Sequence, residues 1–116
     1  MNLKKEEIIQ KAFSYHKKGN IIEAEKYYRY FIEKGFLDSR VFLNYGTILR
    51  KSGNLKKAEY LQRKAIELDS NYAQAHYNLG GILIELGNLK EAEIHTRKAI
   101  ELNPDYVLAY LNLGNL

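Results

Sequence analysis

The sequence has no cysteine and no tryptophan, and only one proline and one methionine, among 116 residues. Without cysteine there is no disulfide, thiolate metal site, iron–sulfur cluster or cysteine nucleophile. Long hydrophobic runs are missing too. The most apolar stretch, Leu79 to Leu86, is interrupted by Glu85 and is far short of the ~20 residues that span a bilayer. The opening Met1–Gln10 alternates charge with apolar residues and lacks the apolar stretch of a signal peptide. A cytoplasmic chain with no membrane partner is therefore expected. Acidic residues are scarcer than basic ones, 14 against 18. Residues 39–72 hold most of the basic excess, whereas residues 73–116 are net acidic. That asymmetry biases partners electrostatically. It falls short of the dense basic face of a nucleic-acid binder, so no nucleic acid is expected. What is present, 46% hydrophobic and 28% charged residues, is an ordinary folded composition rather than a disordered one.

Self-similarity is the strongest positive signal. Ser39–Tyr72 aligns with Ala73–Tyr106 without a gap, and half the positions are identical. One period back lies the more divergent Lys5–Asp38, and one period forward lies the partial Val107–Leu116. A 34-residue period predicts a stack of identical supersecondary units. The units are 5–38, 39–72, 73–106 and the partial 107–116, with 1–4 as a lead-in to a single array.

Each unit reads as two helices. Gly19-Asn20, Gly53-Asn54 and Gly87-Asn88 stand one period apart. Glycine suits the left-handed residue that ends the first helix, and asparagine can cap the second. Glu23 and Glu91 stand three residues after their asparagine, where a capping box places them. Asp69-Ser70-Asn71 and Asn103-Pro104-Asp105 end the second helices. Helices are predicted near 5–18, 21–34, 39–52, 55–68, 73–86, 89–102 and 107–116. Apolar residues recur at spacings of three and four, as in Phe42, Tyr45, Leu49 and Leu55, Ala58, Leu61, Ala65. Gly46, Gly80 and Gly114 recur mid-helix, where glycine costs about 1 kcal/mol against alanine. Their recurrence predicts a close crossing by the second helix, with Ala24, Ala58 and Ala92 as facing positions.

These residues resemble the tetratricopeptide repeat. The family's series of bulky, Leu, Gly/Ala, apolar, Ala, aromatic, Ala and Pro residues is met in the third unit by His76, Leu79, Gly80, Leu83, Ala92, Thr96, Ala99 and Pro104. The second unit supplies Phe42, Tyr45, Gly46, Leu49, Ala58, Gln62, Ala65 and Ser70. The first supplies Ile8, Lys11, Ala12, Tyr15, Ala24, Tyr28, Phe31 and Phe36. Lys11, Gln62 and Thr96 depart from the pattern and are expected to loosen packing locally. The resemblance implies an all-α, right-handed α-solenoid of antiparallel helix pairs with seven helices. It also implies a concave groove lined by the first helices.

On that mapping the groove residues include Ile9, Gln10, Phe13, His16 and Lys17, then Arg40, Leu43, Asn44, Thr47, Arg50 and Lys51. Gln74, Tyr77, Asn78, Ile84 and Glu85 follow, and Asn112 in the partial unit. Gln10, Asn44, Asn78 and Asn112 form a ladder of carboxamides. A carboxamide offers donor and acceptor together, matching a peptide bond. The ladder is similar to that of the tetratricopeptide arm of O-linked N-acetylglucosamine transferases. Lys17, Arg40, Arg50 and Lys51 make the first half of the groove basic, and Phe13, Leu43 and Tyr77 offer apolar anchors. A protein or peptide partner, acidic with apolar anchors, is the natural complement. The family's chaperone-binding members clamp a C-terminal carboxylate with basic residues where this chain has Gln74 and Asn78, so chaperone tails are not expected.

Catalysis finds no support. His16, His76 and His95 share no metal-ligand spacing, and His76 occupies a core position. The serines lack a nucleophile-elbow context, and Gly80-Gly81 lies within a helix rather than in a phosphate loop. The reading is a non-enzymatic interaction module without cofactor or metal. The chain stops inside a first helix, leaving Tyr110, Leu113 and Leu116 on a face built to be covered. Two further readings follow from this: the arm of a larger transferase that presents protein substrates, or an end-to-end scaffold that self-associates through the last helix.

Overall fold

The computed structural model describes residues 2–116. Among the described residues there are seven α-helices and no strand. They are α1 (Lys5–Lys17), α2 (Ile21–Glu33), α3 (Ser39–Lys51), α4 (Leu55–Leu68), α5 (Ala73–Glu85), α6 (Leu89–Leu102) and α7 (Val107–Gly114). Their ends differ from the expected ones by at most two residues. The chain is an all-α solenoid: α1 packs on α2, α3 on α4 and α5 on α6, and each pair then packs on the next. Among the described residues no helix is long and apolar enough to cross a membrane.

The Gly-Asn punctuation works through backbone geometry. Gly19, Gly53 and Gly87 have φ of +81°, +88° and +82°, a region that glycine enters without penalty. The following asparagine N–H then bonds back into the preceding helix: Asn20 to Tyr15 O, Asn54 to Leu49 O and Asn88 to Leu83 O, each at 2.9 Å. The expected capping boxes do not close, because that N–H is already used and Glu23 and Glu91 have nothing to accept there. The forward half of the cap does form at Asn20 and Asn54, whose side chains accept from Glu23 N and Lys57 N. Asn88 differs: its Nδ2 donates to the Glu91 carboxylate at 3.3 Å instead.

Close crossings exist at Gly46 and Gly80 but not at Gly114, and of the expected alanines only Ala92 is met, through its backbone O at 3.4 Å from a Cβ on Gly80, behind a nearer side chain. A Cβ on Gly46 would lie 2.6 Å from Gln62 Nε2, and one on Gly80 would lie 2.5 Å from Thr96 Oγ1. Gln62 and Thr96, expected to loosen the packing, are fully buried. Gln62 Nε2 donates to Leu43 O at 3.0 Å and Thr96 Oγ1 to Ala92 O at 2.7 Å. Each thereby offsets the cost of burying a polar group, although Gln62 Oε1 is left without a partner.

The core is uneven along the stack. One apolar cluster runs through α1–α4 and reaches Ala75 and Ile82, with Tyr28, Phe31, Phe42 and Tyr45 as its largest members. Leu79, Leu83 and Ala92 form a smaller cluster in the third pair. In α7 only Ala109 is buried, whereas Val107 is 68% and Leu111 60% exposed.

Candidate functional site

The carboxamide series lies on successive first helices, but its members have different neighbours. Gln10 on α1 is exposed. Asn44 on α3 is half-buried and hydrogen-bonds the Tyr28 hydroxyl, which also meets His16 Nδ1 at 2.7 Å. Burial pushes the Tyr28 hydroxyl up to about 12, with the Asn44 bond opposing. Asn78 on α5 is 9% exposed, and its Nδ2 donates to Thr47 Oγ1 of the preceding pair at 3.4 Å. Thr47 in turn donates to Leu43 O at 3.0 Å. One period later, Gly81 stands where Thr47 stood. No hydroxyl is available there, and Asn112 Nδ2 is buried without a partner.

The cations separate into two groups. Arg40 is engaged by Asp38 (Nε–Oδ1 3.0 Å, Nη2–Oδ2 2.7 Å), and its guanidinium lies 5.4 Å from the Phe13 ring centre. That pairing raises Arg40 and holds Asp38 below its ordinary range against the opposing effect of burial. Arg50 Nε bonds Glu85 Oε1 at 2.6 Å across two repeats. Its guanidinium occupies the space that a Cβ on Gly81 would take, at 2.7 Å. Lys17 and Lys51 are exposed and take part in no ion pair among the described residues.

The apolar anchors also divide. Phe13 and Tyr77 are half-buried, Phe13 against Tyr28 and Tyr77 against Tyr106. Leu43 and Ile9 are each only 2% exposed, so their side chains belong to the core and not to the surface. For Leu43 the reason is that α3 is covered by α2, α4 and α5, so more of its circumference is enclosed than a two-faced wheel suggests.

Two features escaped the residue pattern. Arg63 on α4 grips Glu91 on α6 through both nitrogens, at 2.6 and 2.9 Å, while also bonding Glu59. Glu91 is thereby drawn below its ordinary range, Arg63 being the main cause. His76 and His95 face each other, Nδ1 to Nδ1, at 3.1 Å. His76 Nε2 donates to Ser70 O at 3.0 Å, and His95 Nε2 lies 3.4 Å from Glu91. The signal for this pair is a double replacement. The same two places one unit earlier hold Phe42 and Leu61, both buried. No group of three or more metal-ligating side chains converges among the described residues.

Comparisons with known proteins address the architecture. Two repeat models match, "Tetratricopeptide repeat" over residues 73–106 and "TPR repeat" over 46–87. No curated protein matches the chain. Among solved structures, the Arabidopsis OM64 TPR domain superposes with a TM-score of 0.87 at 22% identity, covering 96% of this chain and 92% of that one. The first TPR of Spaghetti (RPAP3), bound to an HSP90 peptide, gives 0.87 at 22% identity, covering 97% and 89%. A mutant Thermobaculum terrenum O-GlcNAc transferase gives 0.83 at 26% identity, covering 97% of this chain but only 22% of that one. With family models spanning residues 46–106 between them and helix pairs repeating every 34 residues, the chain belongs to the tetratricopeptide repeat family.

Proposed function

We propose that the chain is a protein–protein interaction module whose face along α1, α3, α5 and α7 holds an extended segment of a partner. The observation that carries this reading is the placement of Asn44 and Asn78. They stand at equivalent sites on consecutive first helices, and their amides bond across helices rather than within their own. Half-buried Phe13 and Tyr77 flank them as apolar contacts, and Gln10 and Asn112 extend the series. Arg40 and Arg50 shape the face through their own acidic partners. Lys17 and Lys51 remain for an acidic segment. The fold neighbour that holds an HSP90 peptide supports a peptide as the class of ligand.

The test is selection of a random-peptide library on the wild type and on Asn44→Ala/Asn78→Ala. Peptides enriched on the wild type and lost on the double variant are expected. Equal enrichment on both proteins would remove the carboxamides from the binding role. A second reading, self-association through α7, is favoured by the exposure of Val107, Leu108, Tyr110 and Leu111, each 49% or more. Light scattering should then show mass rising with concentration, and Leu111→Glu should return the chain to a monomer.

A further inference from the structure

We infer that the depression where α1 and α2 meet α3 seats a carboxylate of the partner together with an adjacent aliphatic side chain. This rests on the peptide-binding reading above. The depression encloses about 350 Å³ and is lined by His16, Ile21, Glu25, Thr47, Ile48 and Lys51. That is at the small end of ligand sites, about 300–1,000 Å³, and suits one or two side chains rather than a cofactor.

Two successive junctions of the stack differ in charge. Between the second and third pairs, Arg50 from α3 meets Glu85 from α5 at 2.6 Å, and the ion pair lies flat over Gly81. Shifting both residues back by one period gives the junction between the first and second pairs. There the equivalents are His16 and Lys51, and Thr47 replaces Gly81. Both side chains are basic, and Lys51 acts on His16 as a like charge, adding to burial in holding its imidazole low. The junction therefore has Lys51 where the later pair has its carboxylate, opposite an imidazole held toward its neutral form. The end of a helix by itself favours a cation, but α5 ends in Glu85 with no basic residue in its last turn. The ends of α1 and α3 are basic, as a helix C-terminus favours, so α5 is the exception and its Glu85 neutralises Arg50 where nothing among the described residues neutralises Lys51.

Beside Lys51 two isoleucines line the depression. Ile48 is 6% exposed and Ile21 is 40% exposed. Glu25, the carboxylate that lines the depression, is engaged by Arg29 at 3.0 Å. An Asp or Glu next to Leu, Ile or Met in an extended segment supplies the missing charge and covers the isoleucines.

The test uses the full chain. Random peptides displayed on phage are selected on the wild type, Lys51→Glu and Ile21→Ser, and the strongest acidic peptide is titrated by fluorescence polarisation. Lys51→Glu recreates internally the pairing seen at Arg50–Glu85. It is expected to bind that peptide about tenfold more weakly, and Ile21→Ser should weaken it to a lesser degree. The imidazole signals of His16 should shift on peptide addition, with its titration moving to higher pH. Enriched peptides without an acidic–aliphatic pair, or unchanged affinity in Lys51→Glu, would overturn the inference. If such peptides still fail on Asn44→Ala/Asn78→Ala, the groove reading stands without this seat. No enrichment on the wild type overturns both.

Discussion

Gly80 and Gly114 hold equivalent places in successive units, yet a methyl group should affect them oppositely. At Gly80 it would collide with Thr96 Oγ1, with Ala92 O behind it at 3.4 Å. Overpacking of this kind costs about 1–3 kcal/mol, so Gly80→Ala should lower the urea midpoint clearly. Removing the hydroxyl in the double variant Gly80→Ala/Thr96→Ala should recover most of the loss, a coupling that a double-mutant cycle measures. At Gly114 nothing lies within 4 Å, and Gly114→Ala should be neutral or gain up to ~1 kcal/mol from helix propensity. The histidines give a second residue-scale expectation. Burial lowers both His16 and His95, with Lys51 adding to the first and His76 to the second, while Glu91 opposes at His95. The folded chain thus binds fewer protons than the unfolded one near the ordinary value of 6.5. Stability is complete above that pH and is lost as pH falls through the folded-state values. Tm should fall as pH drops below about 6.5, less steeply in His16→Gln/His95→Gln; a flat wild-type profile would contradict this.

Between elements, the strongest polar tie is Arg63, which joins α4 to α6 through Glu91 while holding Glu59 on its own helix. Its side chain is 40% exposed, so solvent screens it and the tie is worth about 1 kcal/mol at most. Arg63→Met should cost that amount at low salt and almost nothing in molar salt, as urea unfolding at two ionic strengths would show. The helices themselves were legible from Gly-Asn spacing and apolar periodicity, because both are local. The caps were half legible: asparagine as the acceptor could be read, but not that its N–H closes the previous helix. The candidate site was legible as a run of residues on successive first helices and not as a set of partners. That Arg50 lies down depends on a Cβ missing from Gly81 on another helix, and the role of Glu85 depends on Arg50. Leu43 was misplaced because helical phase alone does not say how many neighbours enclose α3.

As a whole the molecule is a short rod, 45 × 25 × 24 Å, with a radius of gyration of 14.4 Å, somewhat above the ~13 Å of a compact domain of this length. Its helices contact chiefly their sequence neighbours, so stability is close to a sum over units and junctions. The larger cluster spans the first two pairs and only a small one serves the third. Amide exchange should therefore be slowest in α3 and α4, faster in α6 and fastest in α7. Uniform protection across all seven helices would argue against this. The same neighbour-only wiring has a mechanical consequence. Pulled from its two ends, the chain has no long-range strand pairing to shear, so it should yield at low force and pay out one helix pair at a time. Each pair of 34 residues can extend to roughly 120 Å at ~3.5 Å per residue. The molecule would then behave under load as a soft spring with countable coils, with the coil at α7 released first.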